Sequence, residues 1–559
     1  MDTETNIQDL IDDTGSVAFL IHLNGSMSEV YLSISGQCES LSLIDDYDCV
    51  KKILETRSIT KVGIDIKGQK IKLAKLGIDL REPYLDLGIA SYLLDSTEKK
   101  PELTSIATQR RGEGALDTTT LESCCLAIDG VHSTLVGRLK EHDLGILYDR
   151  VEMPLIKILA DMESQGVMLD RPSLKREMDE LVPILGAMQD RIFKDVGHEF
   201  NIAYAPELGK VLHDELGLRP VPKTKTGYSA DKAVLSRLRG QNEIIPLIEE
   251  YRGLWETFKD MNSLFDAANG GSVIWPTYIH TGTETGRFST KAYNIQGLNK
   301  ILRRFIIPRP GHVFIEADYS QAQFRILAHL SEDPALIKAF RDGKDFHSLT
   351  ASEILKNPAR RTVAKEVNFG IIFGMTPWGL AETITTKAGV NVTTTQAKGY
   401  IDGFYHRFPC VRRMQEQVDA DLDKTGYVTS LAGRKRFFNK PGDRTKGGTY
   451  KASAKRAAFN MKMQGSEADI IKLSMIRLDH EFRKRGLRLR ILIQVHDSLV
   501  FEVPVHEKAL ATVLIKKVME SVFPLRVPMK VDIGAGASWG ACKQTDNQPK
   551  EVMDFRQYA

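Results

Sequence analysis

The sequence predicts an α/β multidomain protein, and three observations carry that reading. At 559 residues the chain is long enough for roughly three or four domains with substantial cores. Residues 1 to about 140 interleave short apolar strands, such as Val17 to Leu23 and Val30 to Ile34, with helical stretches, as an α/β domain does. Further on, a basic and aromatic helical stripe lies between two strand-like runs that meet an aspartate. His312 to Asp318 alternates before a helical pattern opens at Tyr319. Leu489 to Gln494 and Leu499 to Val503 read as two strands around a tight turn of His496, Asp497 and Ser498.

Composition narrows the function classes. Net charge is only +3, so any nucleic-acid binding must come from local basic patches. The six cysteines show no paired metal-ligand spacing, and adjacent Cys124 and Cys125 read as helix packing, so a reduced compartment is the simplest reading. Met1-Asp2-Thr3-Glu4-Thr5 is acidic where a signal or transit peptide would be basic. No apolar run reaches membrane-spanning length. A soluble, cytoplasmic protein without membrane contact is expected.

The stripe consists of Arg361, Lys365, Phe369 and Phe373, which recur every four residues and so drift about 40° per step on a helix. Two cations followed by two rings suit a nucleoside triphosphate, with phosphate at one end and a base to stack at the other. Taken alone, the stripe is more simply an amphipathic helix with a solvated basic turn and a buried aromatic one. The flanking aspartates change the balance, because carboxylates on rigid strands can grip a pair of Mg²⁺ ions. An aspartate at a turn is by itself usually turn chemistry.

Together, Asp318 to Arg325, Arg361 to Gly374 and Gln494 to Ser498 resemble motifs A, B and C of the DNA polymerase I family, family A, in the family's order. The similarity runs from about Tyr148 to Trp539. The resemblance implies a right-hand polymerase, with a palm built on an antiparallel sheet and helical fingers and thumb. An N-terminal RNase H-like 3′–5′ exonuclease-type domain would precede it. The implied division is 1–140 for the exonuclease-like domain and 141–559 for the polymerase. Within the latter, the thumb is about 166–270, the palm about 148–165, 271–330 and 427–559, and the fingers about 331–426. The implied activity is template-directed addition of dNTPs to a primer in DNA replication or repair. Primer-template DNA would be the partner of a monomer, and Mg²⁺ the cofactor, with Mn²⁺ able to substitute. Two alternatives stay open: a polymerase with relaxed sugar or template choice, and a catalytically lapsed DNA-binding scaffold.

In chain order, Asp2-Thr3-Glu4 matches the family's first exonuclease motif, and Val62 to Gln69 resembles the second. The second normally ends in a metal-binding Asp, whereas Gln69 has a neutral amide that cannot supply a carboxylate's charge. Ala127-Ile128-Asp129 resembles the third, with Cys125 where the family has Tyr. Only Met1 precedes Asp2, so the strand that would hold Asp2 and Glu4 is almost absent, and the domain is expected to be a structural remnant. From Tyr148 a long helical region reaches Gly197, with Leu155, Ile158, Leu159 and Met162 spaced as core. Pro222 to Ser229 is a basic, hydroxyl-rich loop that resembles the family's thumb loop; a surface turn is the plain alternative.

By resemblance, Arg287, Asn294 and Gln296 contact the primer terminus and the minor groove, where every base pair offers acceptors in similar places. His347 corresponds to a residue that reaches the nucleotide's phosphates, although a lone His is more often structural. Arg361 and Lys365 bind the β and γ phosphates, Lys365 also acting as general acid toward pyrophosphate, while Phe369 stacks on sugar and base. Gln321, Gln323 and Phe373 complete the nucleotide site. Asp318, Asp497 and the Tyr319 carbonyl are the implied metal ligands. Gly370 and Gly374 permit close backbone approach and a helix that rotates on nucleotide binding. Arg456, Asn460 and Gln464 match residues that touch template and primer, as does His496. Gly433 to Arg456 carries nine basic side chains against one acid, Asp443, which suggests a surface that tracks phosphates.

Three departures stand out. Gln323 replaces the usual Glu that blocks a ribose 2′-hydroxyl, and Phe373 replaces a Tyr that bonds to that Glu. A weakened preference for deoxynucleotides follows. Ser498 replaces an auxiliary Glu after the motif C Asp, which implies a loss of rate without loss of chemistry. Phe369 stands where a Tyr hydroxyl could fill the gap left by a missing 3′-hydroxyl. Dideoxynucleotides are therefore predicted to be poor substrates, checked by the ratio of kcat/KM for ddNTP and dNTP.

Overall fold

The computed structural model describes residues 15–24, 27–107, 117–218, 228, 230–438 and 448–543. Asp2 and Glu4 lie outside them, as do Lys440, Arg444, Lys446 and, apart from Tyr228, the basic loop from Pro222 to Ser229.

Five strands form the N-terminal sheet: β1 Ser16–Asn24, β2 Met27–Ile34, β3 Gln37–Ser42, β4 Thr60–Gly63 and β5 Tyr84–Asp86, in the order β3-β2-β1-β4-β5. β1, β2 and β3 pair antiparallel, whereas β4 and β5 continue the sheet parallel. The continuous apolar run Val17-Ala18-Phe19 is buried because β1 is central to the sheet and helix Leu121–Glu141 packs against it. Cys125 lies buried on that helix, as the packing reading required, and all six cysteines are free thiols.

This unit is fastened to the rest of the chain through polar contacts. Tyr92 Oη donates to the Thr283 carbonyl at 2.7 Å, Tyr148 Oη to the Asp86 carbonyl at 3.0 Å, and Lys67 Nζ to the Tyr278 carbonyl at 2.6 Å. Burial pushes the Asp86 carboxyl up to about 6, with the Ile66 and Ile89 amides opposing the shift.

The helical region from Tyr148 to Gly197 is two helices and not one, Met153–Gln165 and Arg171–Val196. Gly166 separates them at φ +60, where a Cβ would sit 2.8 Å from the Ile274 carbonyl, and Val167–Met168 leaves as a short strand paired with Val273–Ile274. Helical periodicity continues on both sides of such a break, which is why it does not show in the pattern. Leu155, Ile158, Leu159 and Met162 are core, as their spacing indicated. Arg171–Val196 then packs against Ile244–Ala267 through Leu174, Met178, Leu181 and Leu185.

A second, four-stranded antiparallel sheet orders its strands Arg490–Val495, Ser498–Pro504, His312–Tyr319, Val531–Gly536. Helices from Pro334 to Thr425 form a separate lobe, and the long helix Gly448–Lys484 packs against elements of both. At Gly370 a Cβ would stand 2.6 Å from Leu380 Cδ1, so this residue sets how closely helix Arg361–Ile372 meets Pro377–Ala388. Gly374 ends the turn at φ +63.

Beneath the second sheet lies a buried ionic cluster. Glu152, fully buried, accepts from Lys472 Nζ at 2.9 and 3.0 Å and pairs with Arg434 and His280; Arg434 Nε also meets Asp469 Oδ1 at 2.9 Å. Burial alone would push the Glu152 carboxyl up, but Arg434, Lys472 and His280 hold it well below its usual range. His280 is lowered to about 4, chiefly by burial, so it is a neutral ring here and the two acids balance the two bases. Arg434 therefore does not belong to the phosphate-tracking surface expected of its basic run. Lys435 likewise pairs with Asp143, Arg436 with Glu284 and Lys455 with Asp419. Charge density along a sequence does not reveal that the opposing acids come from distant segments. Removing one partner strands the others in a low-dielectric interior. Glu152→Ala is predicted to cost about 3–5 kcal/mol in chemical denaturation.

Candidate active site

The site is assembled where the strand His312–Tyr319 emerges from the second sheet. Phe314, Ile315, Glu316 and Ala317 are buried because the strand is central, and Asp318 is the residue at which it reaches solvent. Asp318 is in register with Ser498 on one neighbour and Asp532 on the other. The turn has only two residues, His496 and Asp497, with His496 at φ +51; Ser498, expected in the turn from the sequence, is instead the first residue of the strand. The Tyr319 amide donates to the Asp497 carbonyl at 3.1 Å. Register and this bond bring Asp318 and Asp497 side by side.

Their charges act on each other. Burial pushes the Asp497 carboxyl up to about 8, with Glu467 and then Asp318 adding repulsion. Asp318 Oδ2 receives the Lys543 ammonium at 2.7 Å, and the same ammonium reaches Glu316 Oε1 at 3.1 Å. A cation already stands against this carboxylate. Among the described residues no group of three or more His, Cys, Asp or Glu side chains is arranged to hold a metal ion. The two aspartates, as hard oxygen donors, are what fits a divalent cation such as Mg²⁺, which would stand in competition with Lys543 at Asp318.

The stripe forms helix Arg361–Ile372, capped by Phe373. Arg361 makes a fork-like pair with Asp345, Nε to Oδ1 at 3.1 Å and Nη2 to Oδ2 at 3.0 Å. Burial would raise the Asp345 carboxyl, but the Arg361 and Ser348 hydrogen bonds hold it well below the usual range. Gln321 Nε2 donates to the same carboxylate at 2.5 Å. Gln321, three residues along the chain from Asp318, is thereby joined through Asp345 to Arg361 by three hydrogen bonds. Lys365 is exposed one turn further along. Phe369 and Phe373 stack with centroids 5.9 Å apart, and the Phe324 ring meets Phe369 edge-on at 5.0 Å.

His347 is 5% exposed, its Nδ1 3.0 Å from Asn368 Nδ2. It is lowered to about 4, mainly by burial, with Arg361 and Lys365 lowering it further against Asp345. It is a neutral ring that can offer a hydrogen bond to phosphate but no charge.

Around the aspartates, Gln296 Nε2 donates to Gln494 Oε1 at 2.9 Å, and Gln494 Nε2 to the His496 carbonyl at 2.8 Å, tying the expected minor-groove reader to the turn that carries Asp497. Asn294 is exposed and caps its own turn through Gly297 N at 3.2 Å. Arg287 pairs with buried Glu467, and Gln323 Nε2 lies 3.3 and 3.4 Å from the same carboxylate. Arg456, Asn460 and Gln464 recur at four-residue spacing on the long helix, and Glu467 follows one turn later.

In the N-terminal unit, Gln69 Nε2 donates to the Ile64 carbonyl at 2.5 Å, while Asp129 accepts from Ser33 Oγ at 3.0 Å and Gly36 N at 2.9 Å. Both side chains are engaged in holding the fold.

Sequence reasoning missed Asp345, Glu467, Gln494 and Lys543. Only Glu467 left a legible signal, as a carboxylate continuing the Arg456, Asn460, Gln464 progression.

The family model for DNA polymerase family A matches residues 171–541, and that for the DNA polymerase I ribonuclease H-like domain matches residues 39–117. The chain is 34% identical to DNA polymerase I of Caldicellulosiruptor bescii, covering 81% of this chain and 54% of that one. It is 36% identical to the thermostable DNA polymerase I of Thermus filiformis, covering 83% and 56%. It thus spans about half the length of these curated relatives. The structure resembles the POL domain of Pol1 from M. smegmatis in complex with DNA primer-template and dNTP, with a TM-score of 0.88, 27% identity and coverage of 96% and 98%.

The buried ring of His347 gives a pH prediction. Its folded pKa lies below the ordinary 6.5, so the unfolded chain takes up the proton first; this group's contribution to stability is lost as pH falls from about 6.5 toward about 4. Imidazole NMR signals of His347 should remain those of a neutral ring at pH 6.

Proposed function

We propose, for a chain that belongs to DNA polymerase family A, that it extends a primer 3′-hydroxyl with deoxynucleotides chosen by a template strand. The observation that carries this reading is the adjacency of Asp318 and Asp497, linked through Gln321 and Asp345 to the cationic end of the stripe helix.

Two divalent cations held by Asp318, Asp497 and the Tyr319 carbonyl would supply the charge that activates the attacking hydroxyl and steadies the leaving pyrophosphate. The chain's own residues do the rest. Arg361 exchanges Asp345 for the triphosphate, a substitution of one anion for another that leaves its guanidinium paired throughout. Lys365, exposed and on the same face, meets the outer phosphates and donates a proton to the departing pyrophosphate. Phe369, braced by Phe324 and Phe373, offers its ring to the sugar and base. His347, as a neutral donor, completes the phosphate contacts. Gln296 and Arg287 read the minor-groove side of the terminal pair, with Arg456, Asn460, Gln464 and His496 along the duplex.

Primer-template DNA and dNTPs are the partners of this reading, with the protein acting as a cytoplasmic monomer. Among the described residues no helix is long and apolar enough to cross a membrane. Proofreading is not part of it, because Gln69 brings a neutral amide to the exonuclease-like site and turns that amide to the Ile64 carbonyl. One observation favours a second reading with relaxed sugar choice: the Gln323 side chain is drawn to Glu467.

The test is primer extension with Asp318→Ala and Asp497→Ala. Each should lose at least about a thousandfold in rate, while duplex affinity stays within about threefold of the parent. Appreciable extension by either variant refutes the assignment.

A further inference from the structure

We infer that Glu467 is the positioning residue through which this site sets its choice of sugar, anchoring the gate side chain Gln323 and the primer-side Arg287 on one buried carboxylate. The inference rests on the polymerase reading and adds to it a residue that the reading does not require.

Glu467 is 3% exposed on the long helix Gly448–Lys484, one turn beyond Gln464. A carboxylate so deeply buried is tolerable only when its charge is met. Arg287 meets the charge as an ion pair, and Gln323 Nε2 sits almost equidistant from both carboxylate oxygens, at 3.3 and 3.4 Å. The far end of the amide, Gln323 Oε1, is buried and has no hydrogen-bond partner among the described residues. Glu467 is therefore the sole described hydrogen-bond anchor of the Gln323 side chain.

That anchor also fixes which way the amide points. Turning it over would set its carbonyl oxygen against a carboxylate, a repulsive contact in a water-poor site, so the donor end must face Glu467. Residue 323 must accordingly be a donor. A carboxylate there would face a second buried carboxylate with only Arg287 to share between them. Conversely, without an acceptor at 467 the amide is released and its bulk can swing away.

On the polymerase reading the gate belongs to the helix whose next residue braces the nucleotide-stacking ring. Gln323 immediately precedes Phe324, whose ring lies 5.0 Å from Phe369. Through Arg287, the same carboxylate reaches the side chain expected at the primer terminus. One acid thus fixes the relative positions of the group that judges the incoming sugar and the group that judges the last base pair.

The experiment is single-nucleotide incorporation on primer-template DNA, with kcat and KM determined for a dNTP and the matching rNTP. Glu467→Ala should raise the rNTP-to-dNTP ratio of kcat/KM by about fivefold or more, chiefly through a lower KM for the rNTP, and Glu467→Gln, which keeps an acceptor oxygen, should return the ratio to within about twofold of the parent. Gln323→Glu should lower kcat/KM for the dNTP by about tenfold or more, and adding Glu467→Gln should restore most of it, a coupling that two independent sites would not show. An unchanged sugar ratio in Glu467→Ala, or additive effects in the double variant, overturns the inference. Thermal unfolding of each variant separates misfolding from altered selection; should Gln323→Glu fail to fold, the sugar ratio of Glu467→Ala decides alone. A parent protein that extends no primer refutes the polymerase reading itself, whereas a parent that extends but shows no coupling refutes only the role of Glu467.

Discussion

The structure depends on a strand pairing that closes over a two-residue turn. Asp318 is the penultimate residue of a central strand, Ser498 begins its neighbour in register with it, and the Tyr319 amide bonds to the Asp497 carbonyl. Because antiparallel register leaves no freedom along the strand, a one-residue slip would carry Asp318 to the opposite face of the sheet. The two carboxylates are thus placed by backbone hydrogen bonds rather than by their own side-chain contacts, and their mutual repulsion is borne by the sheet.

The molecule treats buried charge in two opposite ways. The cluster of Glu152, Arg434, Lys472, Asp469 and His280 is closed, two acids against two bases with a neutral imidazole, and it joins segments that are distant along the chain. Around Asp497 the balance is left open, with Asp318 and Glu467 on one side and Arg287 and Lys543 reaching only part of the charge. The first arrangement holds lobes together. The second is suited to receiving cations.

Of the departures at Gln323, Phe373 and Ser498, the first two are the two halves of one contact in the family pattern, and the structure shows what takes that contact's place. With Phe373 stacked on Phe369, there is no phenol to hold residue 323, and Gln323 turns to Glu467 instead. An amide suits that acid where a carboxylate would not. The long helix therefore brings a buried acid to this neighbourhood as well as the polar series Arg456, Asn460 and Gln464.

How much could be read from residues alone follows from the range of the forces involved. The α/β class, the strands at Val17 and His312, the core positions Leu155 to Met162 and the stripe of Arg361, Lys365, Phe369 and Phe373 were legible, because alternation and helical spacing are local consequences of backbone geometry. The break at Gly166 was not, since it needs Val273 and Ile274 to occupy the space beside it. Neither was the withdrawal of Arg434 from the surface, the capture of Arg361 by Asp345, or the neutral state of His347. Each depends on which distant side chain fills the space opposite and how little water remains there. The sequence by itself determined the elements and the chemical types available at the site; the tertiary structure alone decided which charges meet, because electrostatic pairing and desolvation act through space and leave no period in the chain.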